Sequence, residues 1–172
     1  MALPGPFLAG QRLTAGQLND ATQKTISTIE VGIAGIIATT SGTTQLDIPE
    51  LTFGPIDLVA GALYRWDVRA TLQMNVSGAQ EYNWVIRRDT PLTGTAVSDW
   101  VVYNQVGTGG FQFVAWDEFI ATTDETGVMF YTSVVRLNGA NTMNVYGQSS
   151  GSNRTTQSLK RVGYSSELTV VT

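Results

Sequence analysis

Residues 62–76 read Ala62-Leu63-Tyr64-Arg65-Trp66-Asp67-Val68-Arg69-Ala70-Thr71-Leu72-Gln73-Met74-Asn75-Val76. In this stretch the even-numbered residues are apolar, and the odd-numbered residues from Arg65 to Asn75 are polar or charged. Because successive side chains of a β-strand point to opposite faces of a sheet, the pattern predicts a strand with one buried face and one solvent face. The stretch is long for a strand, so we expect it to cross the whole sheet.

Shorter strand patterns recur along the chain at intervals of about ten residues. Turn sequences separate them, among them Pro91–Gly94, Asn138-Gly139 and the polar stretch Gly147–Asn153. The patterns occupy Tyr82–Ile86, Val97–Tyr103, Phe111–Ile120, Val128–Leu137, Ser158–Val162 and Glu167–Val171. Helical periodicity is missing after residue 34. The sequence therefore predicts an all-β domain over residues 35–172, folded as an antiparallel, jelly-roll-like β-sandwich.

Several of these strands are apolar on both faces. Between Phe111 and Ile120, one parity carries Phe113 and Phe119, and the other carries Val114 and Trp116. A strand of an antiparallel sandwich needs only one apolar face, so something must meet the second one. Either a loop covers a central strand or the face is a subunit interface. We favour the interface because the stretches 97–103 and 128–137 share this property.

The first 34 residues predict a separate unit, an extended N-terminal arm followed by one short α-helix. Thr14 is placed to cap the helix and Gln17 to complete a capping box, while Leu13 and Leu18 have the spacing of a hydrophobic staple. The apolar stripe that follows predicts a helix from about Ala15 to about Glu30.

A helix of this length needs a surface that covers its apolar stripe. Two alternatives stay open: the helix packs on its own β domain, or it packs against its copies or a host surface. The apolar residues upstream of it have no fold of their own to enter, which favours the second alternative. We therefore expect anchoring or oligomerisation through Phe7, Leu8, Leu13, Thr14, Gln17, Leu18, Ile26 and Ile29.

Composition excludes several classes of function. The chain of 172 residues has a net charge of −4 with only 10 Lys and Arg, whereas a nucleic-acid surface needs clustered positive charge. The apolar runs fall well short of the roughly 20 residues that a membrane-spanning helix needs. Charged residues make up 14% of the chain, so much of the surface is neutral. Packing between subunits and an abundance of turns both account for such a surface.

The residues that carry chemistry are scarce. The chain has no histidine and no cysteine, so a Ser-His-Asp site and thiolate chemistry are excluded. Asp117 and Glu118 are adjacent on a strand and leave opposite faces, and Asp124 and Glu125 lie in a predicted turn without the spacing of a calcium loop. We expect no enzyme activity, no cofactor and no metal site.

The four tryptophans fall into two groups. Trp66 and Trp84 lie on the buried parity of their strands and are predicted core residues. Trp100 and Trp116 lie on strands with two apolar faces. For these two residues core, interface and sugar-stacking platform all stay open.

The two ends of the chain resemble a known group of proteins. Residues Phe7-Leu8-Ala9-Gly10-Gln11-Arg12-Leu13-Thr14-Ala15-Gly16-Gln17-Leu18-Asn19 are similar to the start of small structural proteins of tailed bacteriophages, especially those infecting actinobacteria. Val162-Gly163-Tyr164-Ser165-Ser166-Glu167-Leu168 resembles their last strands. The resemblance implies a virion component, often a jelly-roll trimer displayed on the particle and attached through its N-terminal arm. It implies no catalytic residue.

Together these observations favour a trimeric capsid decoration or minor capsid protein that contacts the major capsid protein. The chain lacks a long repetitive shaft, which favours a compact knob over a long tail fibre. The alternative is a tail or fibre module that recognises host-surface glycan through Trp100, Trp116 or the stretch Gly147–Asn153.

Overall fold

A computed structural model describes residues 24–31, 33–40, 44–74, 80–104, 109–137, 142–148 and 154–164. These residues form strands and a short 3₁₀ turn, Pro49–Leu51. The strands are β1 Lys24–Glu30, β2 Gly35–Thr40, β3 Leu46–Asp47, β4 Phe53–Leu58, β5 Ala62–Met74, β6 Gln80–Arg88, β7 Ala96–Asn104, β8 Gly109–Ile120, β9 Glu125–Arg136, β10 Met143–Gln148 and β11 Thr156–Tyr164.

The strands build two antiparallel sheets. In the first sheet β5 pairs with β8 on one side, and on its other side it pairs with β11 along one half and with β10 along the other. Strand β1 then pairs with β11, and β2 pairs with β10. The second sheet has the order β7-β6-β9, and both β3 and β4 pair with β9. The predicted all-β, jelly-roll-like sandwich is thus confirmed.

The long strand β5 supplies the centre of the core, as its alternating sequence predicts. Its even-numbered residues from Tyr64 to Leu72 are buried between the sheets. The ring of Trp66 meets Phe53 and Phe130 edge-on at centroid distances of 5.3 and 5.1 Å. Trp84 on β6 is also fully buried. Both tryptophans therefore belong to the core, as expected.

The predicted helix is wrong over Lys24–Glu30, where the chain forms β1. Strand β1 pairs with β11, and the register shifts between Thr25 and Ser27, which leaves Ile26 as a bulge. A bulge adds one residue and reverses the side-chain alternation beyond it. Ile26 and Ile29 therefore both pack against the core, although a regular strand would place them on opposite faces. Their spacing of three imitates one face of a helix, and β1 makes the sandwich begin before residue 35.

Several predictions lie outside the described residues. They include the arm residues Phe7, Leu8, Leu13, Thr14, Gln17 and Leu18, the turn at Asn138-Gly139 and the last strand, Glu167–Val171. Of the polar stretch Gly147–Asn153, Gly147 and Gln148 belong to β10. Within the described ranges, none of the helical segments has the length and apolar character to cross a membrane.

Candidate functional site

Strand β8 presents one apolar row to the core and another to the outside. Phe113 and Phe119 pack against the core, as one parity of the sequence predicts. On the opposite face, Val114 is 70% exposed, Trp116 is 58% exposed and Ile120 is 43% exposed. Within the part of the chain that the structure describes, no loop covers this second apolar row.

The ring of Trp116 lies beside the charged side chain of Arg65 on β5. The Arg65 guanidinium carbon is 4.8 Å from the ring centroid, a cation–π contact worth about 0.5–1 kcal/mol at an exposed site. Arg65 also donates to Asp67 over 2.9 Å, and the Lys160 ammonium approaches the other Asp67 oxygen at 2.7 Å. This chain of ion pairs fixes Arg65 against the indole.

A shallow depression extends from Trp116 across the outer face of the first sheet. Polar side chains from three strands line it, among them Thr28, Arg69, Thr156 and Ser158. The Arg69 guanidinium donates to the Gln112 side-chain oxygen over 3.0 Å. Arg69 makes no ion pair with any residue that the structure describes. Its positive charge is therefore available to an incoming group.

Strand β7 lies beside β8 and joins the two sheets at one seam. Trp100 is half-buried, and its ring meets Phe113 edge-on at 6.4 Å. Its indole N–H donates to the main-chain oxygen of Trp116 over 3.2 Å. Trp100 thus packs into the seam, whereas Trp116 is presented to the outside.

The outer face of β7 carries Asp99 and Val101. Both side chains are exposed, Val101 by 60%. Asp99 forms no ion pair within the described part of the chain. The seam thus has two exposed faces, the β8 face (Val114, Trp116, Ile120 and the adjoining Arg65 and Arg69) and the β7 face (Asp99 and Val101).

A cleft of about 400 Å³ lies where β1 approaches β4. Asp57 and Tyr64 contribute polar atoms to its wall. An Asp57 oxygen accepts from the Gly127 N–H over 3.0 Å, and the Tyr64 hydroxyl accepts from the Val59 N–H over 2.9 Å. These polar atoms hold the start of β9 and the turn after β4 in place.

The carboxylates of Glu118, Asp124 and Glu125 either have structural partners or face solvent. Asp124 accepts from the Ala60 N–H over 2.7 Å, and Glu118 is exposed on β8. Glu125 receives two hydrogen bonds from the Arg88 guanidinium, which lower the pKa of this carboxyl group. Among the residues that the structure describes, no three carboxylates gather as metal ligands.

Sequence reasoning named Trp100 and Trp116 but missed Arg65, Arg69, Asp99 and Val101. The two arginines lie on the polar parity of β5, and nothing local reveals that β8 pairs with this strand. Asp99 and Val101 share one parity of β7. This shared parity could have predicted that the two side chains lie on the same face of β7.

No family model and no curated protein matches the sequence. Among solved structures, the chain is similar to dimeric latent PorU from Porphyromonas gingivalis, with a TM-score of 0.47 and 5% identity over 83% of this chain and 13% of that chain. It is similar to infectious bursal disease virus strain Gt, with a TM-score of 0.43 and 12% identity over 83% of this chain and 38% of that chain. It is also similar to TmCBM61 in complex with beta-1,4-galactotriose, with a TM-score of 0.27 and 16% identity over 68% of this chain and 60% of that chain. All three similarities are distant, and the chain spans less than two thirds of each of these structures.

Proposed function

We propose that this protein is a non-enzymatic structural component of a virus particle that binds neighbouring proteins through the β8 face. The exposed apolar row of Val114, Trp116 and Ile120 supports this proposal most directly. Val114 and Trp116 are neighbours on this face, and exposed apolar side chains that lie together commonly mark contact sites. Such a component acts by burying surface between subunits and needs neither a cofactor nor a nucleic-acid or membrane partner.

We place the protein on a tailed-phage virion, as a capsid decoration or minor capsid protein on the capsid surface. The resemblance of residues 7–19 and 162–168 to phage structural proteins supports this placement. In this proposal the arm attaches the protein to the particle, with the major capsid protein as its main contact. The homotrimer expected from the sequence belongs to the same proposal.

Labelling of purified particles tests the placement. An antibody raised against the recombinant full chain should label the heads of the phage that encodes it, because a decoration protein is displayed on the capsid surface. Particles from a phage with the gene deleted are the control. Labelling confined to the tail would move the protein to the receptor-binding alternative, and absence from the particle would overturn the proposed function.

Glycan recognition is the second candidate, and the surroundings of Trp116 favour it. An exposed indole beside a depression lined by hydroxyl groups and Arg69 offers both stacking and hydrogen bonding to a sugar. A glycan array should then show binding that Trp116→Ala abolishes and that Thr126→Ala, an exposed change on β9, leaves intact. Binding that survives Trp116→Ala would contradict this candidate.

A further inference from the structure

We propose that the β8 face of one copy docks onto the β7 face of a second copy, and that repetition of this contact closes a threefold ring. This inference rests on the proposed assembly function and names the partner of the same surface. The contact joins two different patches, so each copy uses its β8 face toward one neighbour and its β7 face toward the other. Contacts of this head-to-tail kind form rings when the rotation closes.

The two faces are complementary in charge. On the β8 face, Arg69 lies directly across the strand pair from Val114 and has no ionic partner among the described residues. On the β7 face, Asp99 lies two residues from Val101 on the same side of the strand and also lacks an ionic partner within the described ranges. Each face thus offers an exposed valine beside one uncompensated charge, and the two charges have opposite sign.

The remaining charges of the β8 face balance one another. Arg65 and Lys160 both contact Asp67, and Glu118 lies opposite Arg65 in the strand register. Glu118 forms no ion pair among the described residues, but it matches the second cation in number, so Arg69 carries the surplus charge of this face. A symmetric contact between two β8 faces would bring two Arg69 side chains of like charge into one interface and would leave Asp99 without a partner. The head-to-tail contact between a β8 face and a β7 face is therefore favoured.

The position of the faces suits a ring. Strands β7 and β8 adjoin at one seam, closed by the Trp100 indole. With this seam turned toward the symmetry axis, the faces on its two sides diverge toward the two neighbours. The hydrogen bond from Trp100 also occupies one main-chain oxygen of β8, which favours packing of faces over addition of a strand at this edge.

Charge reversal tests the pairing in the full-length protein. Native mass spectrometry at micromolar concentration should give a trimer for the wild type. Arg69→Asp and Asp99→Arg should each weaken association about a hundredfold, because like charges then meet, and the double variant should recover the trimer. Thr126→Arg, an exposed change on β9, is the control and should leave the trimer intact. The ring would be overturned if the wild type were monomeric, or if both single variants formed trimers as readily as the wild type.

Cross-linking gives a second test, because the natural chain contains no cysteine. A chain carrying both Val101→Cys and Val114→Cys should form covalent trimers under oxidising conditions, whereas each single variant should remain uncrosslinked. Covalent dimers from Val114→Cys alone would show a symmetric contact and overturn the proposal. A protein that is monomeric but is still detected on particles would overturn the ring and leave the proposed function standing. A trimer that is absent from particles would overturn the proposed function and leave the ring standing.

Discussion

Identical side chains have different roles at Trp66 and Trp116 because the two strands present them to different surroundings. Trp66 is enclosed by the rings of Phe53 and Phe130, whereas Trp116 contacts the Arg65 guanidinium and is 58% exposed. The free energy of unfolding should therefore depend strongly on the first indole and weakly on the second.

Trp66→Ala should lower the free energy of unfolding by about 3–5 kcal/mol, because it removes a fully buried ring and leaves a cavity. Trp116→Ala should lower it by no more than about 1 kcal/mol, the value of the exposed contact with Arg65, when both variants are compared in the Asp99→Arg background, which weakens assembly. Urea unfolding measures both values. Equal losses would contradict the assignment of Trp116 to the surface.

The Arg88–Glu125 pair gives the fold a pH dependence. Hydrogen bonds from Arg88 lower the pKa of Glu125, so the ionised form is favoured in the folded state. A lowered pKa adds stability that is present above the ordinary glutamic acid value and is lost as the pH falls through the folded-state value. The melting temperature of Glu125→Gln should thus lie below that of the wild type at neutral pH.

The difference between the two proteins should shrink as the pH falls below about 4. Glu118→Gln is the matched control, since Glu118 is exposed and has no ion pair among the described residues, and all proteins are compared in the Asp99→Arg background, which weakens assembly through the β8 face. Thermal melts across this pH range provide the measurement. A difference for Glu125→Gln that stays constant into acid would show that the ion pair does not stabilise the fold.

At the scale of single strands, the sequence predicts β5 well and β1 poorly. Strand β5 keeps a strict alternation from Tyr64 to Met74, so its period can be recognised without any partner. Strand β1 contains a bulge at Ile26, which places Ile26 and Ile29 on the same face. A bulge is set by pairing with β11, more than a hundred residues away, and local periodicity cannot reveal it.

A buried polar link connects the two sheets. The Gln157 side-chain N–H of β11 donates to the Thr132 hydroxyl of β9 over 2.9 Å, and both residues are fully buried. The Thr132 hydroxyl also lies 3.2 Å from the main-chain oxygen of Leu51, to which it donates. Loss of this hydroxyl would leave buried polar groups without their partner.

Thr132→Val should therefore lower the free energy of unfolding by about 1–3 kcal/mol, the cost of an unsatisfied buried group. Thr132→Ser keeps the hydroxyl and should lose less, while Thr126→Val, on the exposed part of the same strand, should have little effect. Chemical denaturation compares the three variants. If Thr132→Val were as stable as the wild type, the cross-sheet link would contribute nothing.

For the whole molecule, the sequence predicts the β-sandwich fold but not which residues lie together on its exposed faces. Residues 111–120 are apolar on both parities, which predicts an apolar outer face. The exposed apolar residues of β8 lie on that face. The charges beside this row, Arg65 and Arg69, reach Trp116 and Val114 only through pairing of β5 with β8. Pairing between distant strands is a property of the tertiary fold, so the composition of both faces could not be derived from local sequence.

The extent of the sandwich can be tested by two truncations. Strand β1 pairs with β11, its Ile26 and Ile29 pack on the core, and the Val31 N–H donates to the Thr155 oxygen over 2.9 Å. Removal of residues 1–23 leaves β1 intact, whereas removal of residues 1–30 deletes it. The shorter protein should therefore be less stable than the longer one by at least about 2 kcal/mol, from the lost burial of the two isoleucines. Urea unfolding in the Asp99→Arg background measures this difference in the free energy of unfolding while assembly is weakened. Equal unfolding midpoints for the two truncations would show that the sandwich does not need its first strand.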